Sequence, residues 1–184
     1  LLFLCAGSII HALSHEQDIT HMGGLKKHIP FTFWCMLIGS ASLCGIPFLA
    51  GYYSKDLIFN AAYNSNLFPA HILVGLVVFA IILTSIYSFR LIYYVFLGKT
   101  RANEQVVAHI HKQDMGMSIP MSILLIGSIV SGYFGKMLFI DEKFGFSWEG
   151  ILQPINMENI FYVNLIPLIA AFIGILVVYL SLIH

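Results

Sequence analysis

Charge is what this sequence has least of. Only 10% of its 184 residues are Asp, Glu, Lys or Arg, whereas an ordinary soluble domain carries roughly 25%. The nine basic and nine acidic residues cancel to a net charge of zero, so the basic footprint of a nucleic-acid-binding protein is missing. Cysteine is scarce as well: Cys5, Cys35 and Cys44 each stand inside an apolar run. An odd number without ligand spacing suits neither a disulfide framework nor a zinc site, and the three read as small buried hydrophobes. There is no phosphate-cradling glycine motif, catalytic triad or paired-cysteine motif. The chain therefore offers no site for a nucleotide, a flavin or an iron–sulfur cluster. It opens Leu1-Leu2-Phe3-Leu4 without Met, basic leader or cleavage site, and so reads as part of a longer protein rather than as a signal peptide.

What is abundant is apolar surface: 59% of the residues are hydrophobic and the mean hydropathy is +0.87. A soluble fold could not cover itself with so few charges, but a lipid bilayer accepts apolar side chains on the outside. The apolar runs predict an all-α, polytopic transmembrane helix bundle, with residues 1–184 as one transmembrane region of a larger subunit. The runs cover 1–13 (too short to cross), 31–66, 69–97, 117–135 and 160–183. Small residues recur inside them, at Gly39, Ser40, Ser42, Gly127, Ser128, Ser131 and Gly132, as close helix packing in membranes requires. If the second and third runs cross once each, the loops 14–30 and 98–116 share a side. They hold Lys26, Lys27, Lys99, Arg101 and Lys112, against Lys136 and Lys143 opposite. The excess places those loops on the cytoplasmic or matrix side.

The second run is anomalous. At about 36 residues it would rise about 54 Å as one straight helix, far beyond a hydrocarbon core of about 30 Å. In its middle stand Gly45, Pro47 and Gly51. Pro47 lacks an N–H and obstructs the preceding turn, while the glycines free the backbone from helical geometry. The pattern predicts a discontinuous helix, one half ending near Gly45 and the other starting near Ser54 as a cap.

Lys55 and Asp56 follow the break directly. An ionisable residue inside a span is expensive and is normally paired or functional. A lysine in a low-dielectric site can load and release a proton, because desolvation favours its neutral form. The alternative is that the span ends near Tyr53 and Lys55 snorkels to the headgroups. His11 and His15 are spaced to share a helix face. Histidine relays protons near neutral pH, and the same spacing suits zinc, although no third ligand is apparent. A packed or interfacial histidine is the plainer role. Arg90, among Tyr87, Tyr93 and Tyr94, reads as an interfacial anchor, with a buried ion pair as the alternative. His71 opens the same run, and His109-Ile110-His111 falls in a loop.

Three strings carry a resemblance. Gly7-Ser8-Ile9-Ile10-His11-Ala12-Leu13 resembles a helix end, and Glu16-Gln17-Asp18-Ile19 with Met22-Gly23-Gly24-Leu25 resembles the loop after it. Gly45-Ile46-Pro47-Phe48-Leu49 with Gly51-Tyr52-Tyr53-Ser54-Lys55-Asp56 resembles a broken helix. All three are similar to the antiporter-like, proton-translocating subunits of NADH:quinone oxidoreductase, respiratory complex I, in wording closest to mitochondrial forms. The resemblance implies proton translocation in the membrane arm of that enzyme, with Lys55, Asp56 and His11 on the proton path. It also implies that NAD, FMN, iron–sulfur clusters and quinone are bound by other subunits. The implied partners are the neighbouring antiporter-like subunit, other membrane-arm subunits, the N-terminal half of the same subunit and the lipid bilayer. The family's central lysine would fall before Leu1, and its long lateral helix has no counterpart before His184. Related chains of multisubunit cation/proton antiporters and membrane-bound hydrogenases share similar motifs. A non-conducting structural half of a split subunit is a further alternative.

Overall fold

The computed structural model describes residues 1–63, 69–101, 115–139 and 161–183. The turn near Asn66, His109-Ile110-His111 and most of the loops 98–116 and 136–159 lie outside the described residues. Within them the regular structure is all helical, without a strand. The helices are α1 (Leu2–Ala12), α2 (Pro30–Cys44), α3 (Ala50–Tyr63), α4 (Ala70–Ile92), α5 (Met115–Phe139) and α6 (Phe161–Ile183). A π-helical stretch, Tyr93–Leu97, prolongs α4. The contacts divide the chain into two compact units, one of 1–41 with 87–127 and the other of 42–86 with 128–184.

In the first unit α1 stops at Ala12 because Ser14 (φ 53°) and His15 (φ 73°) take left-handed backbone. His11 and His15 therefore do not share a helical face as their spacing predicts; the reversal brings their rings edge-on at 6.4 Å instead. Asp18 caps a 3₁₀ turn, Ile19–His21, its carboxylate accepting from the Thr20 N–H at 2.8 Å and the Thr20 hydroxyl at 2.7 Å. Gly23 (φ 147°) and Gly24 (φ 67°) then press the loop onto the residues that follow α4: a Cβ on Gly23 would overlap the Lys99 carbonyl. Arg101 locks this docking, donating to the Met22 carbonyl at 3.0 Å and the Tyr94 carbonyl at 2.8 Å. Beneath it Cys5, Ile9, Leu13, Leu25, Phe33 and Phe96 form a buried core.

In the second unit, Gly174 of α6 meets α4 so closely that a Cβ would stand 2.7 Å from the Ile82 carbonyl oxygen. Gly132 of α5 lies against Ala50 and Tyr53 of α3 in the same way. Small residues thus sit where helix axes approach, as membrane packing requires. Three helical stretches, Ala70–Leu97, Met115–Gly135 and Leu165–Leu182, are long and apolar enough to cross a membrane. Their outward faces carry side chains such as Phe79, Leu83, Ile123, Ile126, Phe172 and Leu176. Apolar exposure on that scale needs lipid or protein around it.

The discontinuous helix is present, but its second half starts earlier than the sequence suggests. α2 ends at Cys44 and α3 begins at Ala50, so Ser54 lies inside α3 and caps nothing. The constraint of Pro47 reaches only the turn before it. Phe48 supplies the change of direction with a left-handed φ of 72°, and the Leu49 carbonyl already accepts the Tyr52 N–H at 3.1 Å.

Candidate functional site

An interrupted helix leaves backbone groups unsatisfied on both sides of the gap. Here one residue serves both sides. The Ser42 carbonyl accepts the Gly45 N–H at 3.0 Å, closing the end of α2. The Ser42 hydroxyl oxygen accepts the Gly51 N–H at 3.2 Å, satisfying a donor in the first turn of α3. Gly51 lies so near that any Cβ would overlap the Ser42 carbonyl oxygen. Gly45 holds a φ of 84°, the left-handed geometry in which helices commonly end on glycine.

Lys55 stands one turn beyond Gly51, and its stem folds back across the break. A Cβ on Gly45 would lie 3.1 Å from the Lys55 Cδ. The Nζ is screened from solvent and has no hydrogen-bond partner among the described residues. The side chain thus runs towards the C-terminal end of α2, where the helix dipole is negative and a cation is favoured. Asp56 follows, half-buried, its backbone carbonyl accepting the Asn60 side-chain amide at 2.9 Å. Successive helical positions point about 100° apart, so lysine and carboxylate leave the helix in different directions. A group that can carry a proton thus lies at a break whose geometry is set by Ser42, Gly45 and Gly51.

Of the residues singled out in the sequence, Lys55, Asp56, Gly45, Pro47 and Gly51 all belong to the second unit. His11 belongs to the first, exposed on the last turn of α1. His15 and His71 are exposed too, and Arg90 lies over the Tyr94 ring at 5.5 Å. The described residues contain no group of three potential metal ligands. Cys5, Cys35 and Cys44 are buried and free of disulfides. Ser42 was not apparent from the sequence as part of the site. Its place among Gly39, Ser40 and Ser42 suggests helix packing alone, and the signal was its position two residues before the end of a broken helix.

Comparison with known proteins matches two family models. One, "NADH:quinone oxidoreductase/Mrp antiporter, TM", covers residues 1–84; the other, "NADH dehydrogenase subunit 5 C-terminus", covers residues 87–183. Among relatives, NADH-ubiquinone oxidoreductase chain 5 of Phytophthora infestans is 40% identical over 95% of this chain and 27% of its own length. The chain 5 of Metridium senile is 42% identical over 95% and 27%. NADH-quinone oxidoreductase subunit L of Rickettsia bellii is 42% identical over 96% and 28%. The chain spans little more than a quarter of the length of these relatives.

Proposed function

Because the chain belongs to the family of NADH dehydrogenase subunit 5 C-termini, we propose that it forms part of a proton path through the membrane arm of NADH:quinone oxidoreductase. The observation that carries the reading is Lys55, its Nζ screened and without a hydrogen-bond partner among the described residues, at a helix break. In this reading Lys55 takes up a proton as its ammonium and gives it up when its surroundings change. Desolvation favours the neutral amine, whereas a nearby carboxylate and a helix C-terminus favour the ammonium. Asp56 helps to hold the proton until a charge change arrives along the arm. His11 relays protons on the side of α1, using the neutral-range titration of imidazole. NAD, FMN, iron–sulfur clusters and quinone belong to other subunits, and electron transfer from NADH to quinone takes place there. The location is the inner membrane, mitochondrial by the family wording closest to this chain and with the bacterial inner membrane as the alternative, and the partners are the neighbouring antiporter-like subunit and the rest of the same subunit.

Support comes from the relatives' names, all of NADH–quinone or NADH–ubiquinone oxidoreductase, and from apolar helices of membrane-crossing length. The test is Lys55→Met in the full-length subunit of the intact complex, read as protons moved per NADH oxidised. The reading expects assembly to persist while that ratio falls. An unchanged ratio would remove Lys55 from the path.

The description of the first family model also names an antiporter, which favours one second reading, a subunit of a multisubunit cation/proton antiporter. Co-migration of the full-length chain with NADH-oxidising activity in a native gel supports the enzyme; migration apart from it supports the antiporter.

A further inference from the structure

We propose that Ser42 is a positioning residue for the proton-carrying lysine: its hydroxyl pins the start of α3 to the end of α2 and thereby fixes where the Lys55 amine lies. The inference rests on the reading of Lys55 as a proton carrier and adds to it the device that aims the side chain.

The contacts form a short chain. The buried Ser42 hydroxyl accepts the Gly51 N–H at 3.2 Å. Gly51 is four residues before Lys55, on the same side of α3. The Lys55 stem then crosses Gly45, where an added Cβ would come within 3.1 Å of its Cδ, and the Gly45 N–H is bonded at 3.0 Å to the carbonyl of Ser42. One serine thus fixes both the helix that bears the lysine and the glycine that leaves room for its stem. α3 is also packed closely against α5: an added Cβ on Gly132 would lie 2.6 Å from the Ala50 Cα and 2.7 Å from the Tyr53 ring. Without the hydroxyl, the Gly51 N–H loses this acceptor and the first turn of α3 is free to shift. Proton transfer needs donor and acceptor within about 2.6–3.2 Å, and misplacement by about 1 Å can slow a reaction about 10²-fold. Ser42 touches only backbone in these contacts, so it acts through Lys55 and does not carry the proton.

The experiment uses the full-length subunit in the assembled complex, with three variants: Ser42→Ala, Ser42→Thr and Lys55→Met. Protons per NADH are measured, normalised to assembled complex. The proposal expects Ser42→Ala to lose at least half of the pumping that Lys55→Met loses, and Ser42→Thr, which keeps the hydroxyl, to recover most of it. A merely structural role for residue volume would not sort Ala from Thr in that direction. Should Ser42→Ala fail to assemble, Ser42→Cys takes its place, having nearly the same size but a much weaker acceptor, with the same loss expected. Normal pumping in the hydroxyl-free variant, or a Thr variant as defective as it, overturns the proposal. If Lys55→Met itself pumps normally, the underlying reading fails. If only Lys55→Met is defective, that reading stands and the role of Ser42 alone falls.

Discussion

Lys55 and Asp56 stood out in the sequence because charged residues are so few that any charge inside an apolar run is conspicuous. The structure adds where the lysine points, a property of folding back across Gly45 that no spacing rule contains. Ser42 is easily passed over for the opposite reason: serine is common where membrane helices pack, so its position near the end of α2 reads as packing, and its acceptor role depends on the backbone returning to it nine residues later. A different residue-scale device operates in the loop after α1. The Glu16 carboxylate accepts the Asp18 and Gln17 N–H groups, and Asp18 accepts from Thr20. Those bonds hold both carboxyl groups below their ordinary values, with the Asp18 N–H the main cause for Glu16 and the Thr20 side chain for Asp18. Groups with lowered folded values contribute order that is complete above the ordinary values of 4.5 and 3.8 and is lost as pH falls through the lower folded ones. Hydrogen exchange at the Gln17, Asp18 and Thr20 amides, corrected for intrinsic rates, should show protection at about pH 6 that is lost only once the pH has fallen below the ordinary carboxyl values of 4.5 and 3.8. Protection independent of pH would mean that the carboxylates do not hold this loop.

At the scale of elements, the break is the feature to explain. Run length, Pro47 and the flanking glycines were enough to place a discontinuity in the second apolar run. They did not locate its far edge, because Ser54 looks like a cap whereas the chain resumes helix at Ala50, directly after the left-handed Phe48. The glycines of these helices divide sharply. Gly51 has no room, since a Cβ would overlap the Ser42 carbonyl oxygen, whereas Gly75 in α4 has nothing within 4 Å of an added Cβ. Gly51→Ala should therefore destabilise the subunit by about 1–3 kcal/mol through overpacking. Gly75→Ala should be neutral, or stabilise by up to about 1 kcal/mol through the loss of glycine's excess freedom. The yield and thermal stability of the assembled complex check both, and equal behaviour of the two variants would contradict the packing described for the break.

At the scale of the whole molecule, composition had already indicated the solvent. With 10% charged residues and outward faces lined by Ile, Leu and Phe, the described helices suit a bilayer, and the all-α architecture follows from the need to satisfy every backbone group internally. What composition could not supply was the docking of the 14–30 loop on the end of α4, which depends on Arg101 reaching two carbonyls, one of them 79 residues away in sequence. Because the chain covers little more than a quarter of its relatives, its role has to be tested in the complete subunit. The most direct measurement of the central claim is protons moved per NADH oxidised by the intact complex carrying Lys55→Arg. Arginine keeps the positive charge but does not release its proton in the working pH range. If Lys55 is a proton carrier, transfer through this site should fall about 10²-fold or more, and the overall ratio should drop to that of Lys55→Met. A Lys55→Arg complex that pumps as well as the wild type would show that only the charge is needed, and would contradict the account.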